Sequence, residues 1–211
     1  MTPPLYFDGP TSSRKIFAFA HGAGAGMNSD FMNYFAEYLG ASGIRVARFE
    51  FPYMQKTRAD GKRRPPDQVP VLLETWIAVI EALGLENLII GGKSMGGRIA
   101  SLCAVHQEEA GMPVAGCICL GYPFHAPGKP KKVRADHLAE IKTPCLILQG
   151  DRDPFGSKVE LSSYRLSAAI NIRLVADGEH TFIPRKSSGR TQAENWDFAV
   201  KEMIRFISSI D

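Results

Sequence analysis

Long apolar runs are missing from this chain: no stretch approaches the ~20 residues of a membrane-spanning helix, so no membrane partner is expected. Cysteine is sparse. The four present, Cys103, Cys117, Cys119 and Cys145, form no C-x-x-C pair and fall inside apolar helix or strand patterns. They read as reduced core residues, which makes the expected compartment cytoplasmic and provides no metal set. The opening residues, Met1-Thr2-Pro3-Pro4-Leu5-Tyr6, lack the charged start and apolar run of a secretion signal. Excess charge is small as well. The 25 Lys and Arg against 22 Asp and Glu leave +3, too little to argue for nucleic acid as a partner. Acidic residues vanish altogether between Val114 and Ala135. Internal repeats and low-complexity segments are absent too, and residues 1–211 are expected to form one domain, long enough to bury a sheet with helices on both faces.

What is present is an alternation of short apolar runs with helical patterns. Strands are expected at Lys15–Ala20, Ile44–Phe51, Asn87–Gly91, Val114–Leu120, Pro144–Gln149 and Asn171–Val175. Helical spacing runs from Asp30 to Leu39, with Phe31, Tyr34, Phe35 and Tyr38 on one face, and from Val71 to Leu83, with Leu73, Trp76, Ile77 and Ile80. Further helical patterns cover Met95–Gln107, Lys158–Leu166 and a terminal helix burying Trp196, Val200, Met203, Ile204, Ile207 and Ile210. Gln55–Pro70 reads as a basic, proline-bearing loop, and Gly121–Thr143 as a loop with one helical turn. The fold class that follows is α/β: a doubly wound, mostly parallel sheet of about six to seven strands with helices on both faces.

The most informative stretch is Leu88-Ile89-Ile90-Gly91-Gly92-Lys93-Ser94-Met95-Gly96-Gly97-Arg98. Gly92-x-Ser94-x-Gly96 between an apolar strand and a helix is a nucleophile elbow, a turn so tight that its flanking positions tolerate no Cβ. A phosphate-binding loop ending in Gly92-Lys93-Ser94 is excluded because Asn87 stands where its first glycine is needed. His21-Gly22-Ala23-Gly24-Ala25-Gly26-Met27 fails as a dinucleotide loop because Met27 replaces the third glycine, although Glu50 ends a later strand as a ribose-binding acid would. No cofactor is called for.

A serine nucleophile needs a base. Of five histidines, His180 follows the last strand in Asp177-Gly178-Glu179-His180, where a short loop can lower the imidazole onto Ser94. His21 is expected to hold the glycine loop, His125 to line the pocket rim, and His106 and His137 to stay out of reach. The orienting carboxylate cannot come from the acid-free connector after Val114–Leu120. Asp151 and Asp153 compete, and Asp153 lies far enough past its strand to turn toward His180, whereas Asp151 suits a turn brace. Two amides should face the developing oxyanion: that of Met95 after the nucleophile, and that of Ala23 in the first loop, with Gly24 as the alternative and otherwise a substrate contact. Phe51, Tyr53, Met95, Tyr122, Phe124 and His125 are expected to line the pocket.

With these residues in place the chain resembles the α/β-hydrolase superfamily along almost its full length. More narrowly it is similar to small, capless proteins related to testis-expressed protein 30 and to the hydrolase-like part of a histone acetyltransferase complex subunit. That likeness rests on His21-Gly22-Ala23-Gly24, Arg48–Met54 with Lys62–Pro66, Gly92–Arg98 and Gln149–Gly156. Dienelactone-hydrolase-like proteins are more distant, with cysteine where Ser94 stands. The resemblance implies a serine-hydrolase fold and a triad in the order Ser94, Asp153, His180. Residues Gly121 to Thr143 are too few for a cap domain, which suits a small ester or thioester more than a peptide or a covered lipid. The expected partner is a small acyl compound, an anionic one if the basic loops Lys56–Arg64 and Lys129–Arg134 attract it. The competing expectation is a catalytically inactive scaffold that binds a protein.

Overall fold

The computed structural model describes residues 2–210. Side-chain alternation decides how the sheet is covered. In β2 (Ile16–Ala20), Phe17 and Phe19 face one side and Ala18 and Ala20 the other, all fully buried. β4 (Leu88–Lys93), β5 (Gly116–Leu120) and β6 (Cys145–Gly150) are buried at every position, as strands covered on both faces must be. With β1 (Tyr6–Asp8), β3 (Arg45–Phe49) and β7 (Ile170–Val175) they form a seven-stranded sheet in the order β1-β3-β2-β4-β5-β6-β7. β1 runs antiparallel to β3, and all other pairings are parallel.

Two helices cover each face. α1 (Asp30–Ala41) and α6 (Gln192–Ser209) bury Phe31, Phe35, Leu39, Trp196 and Met203 against Phe17, Phe19, Ile89, Ile118 and Leu146. On the opposite face α3 (Val69–Leu83) and α4 (Met95–Glu109) bury Trp76, Val79, Ile99 and Cys103 against Ala18, Phe49, Ile90, Cys117 and Cys145. The chain winds outward from β2 to β3, then crosses back to place β4 on the other side of β2. A crevice opens at that reversal, at the strands' carboxyl ends. Both the glycine loop and Ser94 lie there.

The structure departs from the sequence reading in four places. The expected loop from Gln55 begins as helix α2 (Pro52–Asp60), which carries Pro at its first turn and ends on Gly61 in the left-handed conformation. It shows no apolar stripe because only Tyr53 is buried. The expected helix Lys158–Leu166 is a single turn, α5 (Lys158–Leu161), with none of its residues buried. β1 was not expected at all; three residues long, it is fixed to β3 by Arg48, whose guanidinium grips Asp8 at 2.8 and 3.0 Å. Tyr38, placed on the apolar face by its spacing, is 45% exposed.

α6 does more than cover the sheet. Its N-terminal turn holds the loop after β7. Asn195, fully buried, donates Nδ2 to the carbonyls of Ala176 (3.0 Å) and Phe182 (2.8 Å), and Trp196 donates Nε1 to the Thr181 carbonyl (2.8 Å). That loop includes Asp177 and Phe182 at φ 51° and 69°, conformations that non-glycine residues adopt only when their surroundings impose them. Asn195→Ala should therefore leave the buried Phe182 carbonyl without this donor and return the carbonyl of exposed Ala176 to water. At about 1–3 kcal/mol for the buried group, urea unfolding should show a loss of roughly 1–3 kcal/mol. A loss under about 0.5 kcal/mol would show that α6 does not hold the loop.

Candidate active site

The elbow is built from backbone. Ser94 sits at φ 52°, ψ −116°, between the last residue of β4 and the first of α4, and its N–H donates to the Leu120 carbonyl at 2.8 Å. The flanks are glycine because chains converge there. A Cβ on Gly92 would stand 2.5 Å from the Ala20 carbonyl oxygen, and one on Gly96 would stand 2.5 Å from that of His21. No side chain fits such spaces.

Ser94 Oγ donates to His180 Nε2 at 2.8 Å, and His180 Nδ1–H donates to Asp153 Oδ2 at 2.8 Å. The acid contact fixes the tautomer that leaves Nε2 free to accept. Asp153 is fully buried and in turn held: Gln149 Nε2 donates to Oδ2 at 3.0 Å, and the Phe155 amide to Oδ1 at 2.9 Å. Phe155 stacks on the imidazole at a centroid distance of 4.1 Å. Asp151 takes the other place: its Oδ2 accepts from the Asp177 amide at 2.9 Å, bracing the β6 and β7 turns against each other. The structure thus joins Ser94, His180 and Asp153 in one hydrogen-bonded chain and leaves Asp151 outside it.

Burial lowers the pKa of His180, since a charged imidazolium loses solvation there. The Asp153 hydrogen bond opposes this shift, the Lys93 ammonium adds to it, and Glu179 opposes it. Lys93 itself is buried, which pulls its ammonium down to about 8 against the attraction of Asp153 and Glu179. His21 is neutral as well: burial lowers it, its Nδ1–H donates to the Gly22 carbonyl at 2.7 Å, and Nε2 accepts from the Phe51 amide at 3.2 Å. It holds the glycine loop, as its position suggested.

A cavity of about 600 Å³ opens beside Ser94 and His180. Gly22, Ala23 and Gly24 form one wall; Phe31, Phe155, Ile183 and Trp196 give it an apolar lining; and Lys93 is the only Lys or Arg among its described residues. None of the six residues expected to line the pocket, Met95 included, does so. Tyr53, Tyr122, Phe124 and His125 are at most 3% exposed, and none of them lines the cavity; Phe51 is fully buried too. The cavity opens on the side of the sheet covered by α1 and α6, whereas these side chains pack on the α3 and α4 side. Tyr53 acts from behind: its hydroxyl lies 3.2 and 3.1 Å from the carbonyls of Gly22 and Ala23, drawing both toward the interior. Tyr122 donates to the Arg134 carbonyl, and His125 meets Glu160 at 3.0 Å. Met95, half-buried, opens α4, where the first amides have no partner within the helix. His137 bonds Ser101, not Ser94. Glu50 is occupied by Arg58 (2.6 Å) and the Met27 amide, which removes it from any ribose. Neither basic loop contributes to the cavity wall, and Arg64 is paired with Asp60.

Sequence reasoning missed three contributors. Gln149 was visible as the one polar side chain in an otherwise apolar strand. Lys93 was weighed only as part of a phosphate loop. Phe155 carried no signal beyond its nearness to Asp153.

A mostly parallel sheet with a serine elbow, a histidine and a carboxylate at its strand ends defines the α/β-hydrolase class. The chain belongs to the alpha/beta hydrolase domain family, whose profile matches residues 13–208. ABHD14B of Rattus norvegicus, named as a candidate protein-lysine deacylase, is 36% identical over 80 residues. That match spans 38% of this chain and only about a third (34%) of the relative's length. Solved structures with this fold include a monoacylglycerol lipase of Paleococcus ferrophilus, with 16% identity, 99% coverage of each chain and a TM-score of 0.72. A dienelactone hydrolase of Anabaena variabilis shows 18% identity over 95% of this chain and 90% of its own, with a TM-score of 0.70. At such identities the likeness is one of fold. Among the described residues, no helix is long and apolar enough to cross a membrane.

The electrostatics generate a pH prediction. Only neutral His180 can accept the Ser94 proton, and its pKa is lowered from 6.5. Ser94 reactivity toward a fluorophosphonate should be full at neutral pH and fall as pH drops through a midpoint below 6.5. Labelling rates measured across pH check this. A midpoint above 6.5, or a flat profile, would contradict the assignment.

Proposed function

We propose that this α/β hydrolase is a serine hydrolase that cleaves a small ester or thioester through an acyl-enzyme. Ser94 Oγ attacks the carbonyl carbon while its proton passes to His180 Nε2, and Asp153 stabilises the imidazolium. The carbonyl oxygen becomes an oxyanion facing the amides of Met95 and Ala23, with Gly24 beside them against the substrate. Collapse of the tetrahedral adduct breaks the bond to the alcohol or thiol, which leaves with the His180 proton. Water then attacks the acyl carbon by the same route, giving the acid and restoring Ser94. No step calls on a metal or cofactor.

The observation that carries this reading is the Ser94–His180–Asp153 chain, with 2.8 Å at each link, standing at the wall of an open cavity. The apolar surfaces of Phe31, Phe155, Ile183 and Trp196 suit an acyl chain. The alternative, a binding module without catalysis, has no use for a buried acid holding a histidine tautomer or for a serine kept at positive φ. The motifs His21–Gly24, Arg48–Met54 and Gly92–Arg98 support a place among capless relatives of testis-expressed protein 30, and the four free cysteines support a cytoplasmic setting. An amide of acyl-lysine, suggested by the name of the rat relative, is the second substrate to try.

Fluorophosphonate labelling, followed by a screen of p-nitrophenyl esters and acyl thioesters of increasing chain length, tests the proposal. Ser94→Ala should abolish labelling and lower kcat by on the order of 10⁴ or more on a folded protein. Labelling that persists would remove Ser94 as nucleophile. Asp153→Asn should lower kcat by roughly 10³–10⁴ through the wrong imidazole tautomer, whereas Asp151→Asn should lower the melting temperature and spare turnover. The reverse pattern would exchange the two carboxylates' roles.

A further inference from the structure

We propose that Lys93 is a positioning residue: its buried ammonium, bonded to the His180 carbonyl, anchors that main chain and sets a positive charge against the two carboxylates around the imidazole. The proposal rests on the reading of His180 as the general base.

Lys93 is the last residue of β4, next to Ser94 in sequence, and is 7% exposed. An ammonium in such a place loses solvation that a methionine of similar shape would not. Its Nζ donates to the His180 carbonyl at 2.6 Å. The fold makes room for this contact. Gly121, at φ 64° at the end of β5, faces it, and a Cβ there would lie 2.9 Å from Nζ and 2.8 Å from the His180 carbonyl oxygen. Any other residue at position 121 would press the two apart.

The groups that act on His180 come from three elements. Asp153, from the turn after β6, holds Nδ1; Glu179 belongs to the same loop as His180; Lys93 comes from β4. Two negative charges favour the imidazolium. Burial of the ring, the largest influence, works against them, and without a cation nearby it would do so alone. Lys93 supplies the opposing charge. Because it bonds the main-chain carbonyl and not the ring, both nitrogens stay free for Asp153 and Ser94. Phe155, stacked on the ring, carries no charge and only limits its rotation.

The test separates charge from shape. Lys93→Met removes the charge and the hydrogen bond; Lys93→Gln removes the charge and keeps a donor. The His180 imidazole is titrated by NMR in the unsubstituted protein and in both variants, and fluorophosphonate labelling rates are measured from about pH 5.5 to about pH 8.5. In both variants the His180 midpoint should move upward. The ratio of labelling rates at the two ends of that range should grow by about threefold or more. Lys93→Gln should retain more of the high-pH rate than Lys93→Met. A residue that only filled space would leave the midpoint where it was. An unmoved midpoint in either folded variant overturns the proposal, and so does a midpoint above 6.5 in the unsubstituted protein, which needs no variant. If Ser94→Ala still takes the probe, the nucleophile reading fails, while the NMR titration still decides the role of Lys93.

Discussion

The close approach of backbone to backbone at the end of β4 is the constraint on which the rest of this molecule depends. A Cβ on Gly91 would stand 2.1 Å from the Ile118 carbonyl oxygen, and one on Gly92, Gly96 or Gly97 would stand 2.5 Å from another carbonyl oxygen. Since β2, β4, β5 and the first turn of α4 pack main chain against main chain, the helix begins inside the sheet's edge and not above it. That depth forces the bend at Ser94 and brings its hydroxyl within reach of His180, 86 residues further along the sequence. Larger residues here would do more than open a cavity or crowd a core. They would move α4 off the sheet, and the elbow with it.

Around this point the charges form one group. Asp153, His180, Lys93 and Glu179 stand at or just past the carboxyl ends of β4, β6 and β7, in surroundings where an isolated charge would be costly. Each is answered by another or by hydrogen bonds: Asp153 by Gln149 and the Phe155 amide, Glu179 by the amides of Thr181 and Ile183, Lys93 by the His180 carbonyl. Glu179 is held below its ordinary range despite burial, by Thr181, the Ile183 amide and Lys93. Within this network Nδ1 of the imidazole is held by Asp153, and Nε2 is left to accept from Ser94.

Much of this was legible in the chain because it rests on local necessity. The strands β2, β4, β5 and β6 declare themselves as apolar runs; Gly92 and Gly96 flank Ser94 because nothing else fits; and the acid-free stretch Val114–Ala135 leaves only the turn after β6 to supply a carboxylate. What could not be read depends on which side of the sheet a loop folds toward. Tyr122, Phe124 and His125 follow a strand end, as pocket residues should, yet turn to the α3 and α4 side, while the cavity is walled by the first turns of α1 and α6. Phe31 and Trp196 reach the site through tertiary packing that no spacing announces. α2 carries no apolar stripe, since Tyr53 alone is buried, so Pro52 at its first position and Gly61 at its C-cap are its only signals.

The segment from Gly121 to Thr143 lies against the molecule, with Ala135, Leu138 and Ile141 in the core beside α4. Its only helix is the turn Asp136–Ala139. No residue of this segment lines the cavity, so it leaves the mouth uncovered. An acyl group resting on Ser94 would meet water at its full concentration while any competing alcohol or amine arrived dilute. On the serine-hydrolase reading proposed above, such a mouth would favour hydrolysis of that covalent intermediate over its transfer to a second acceptor.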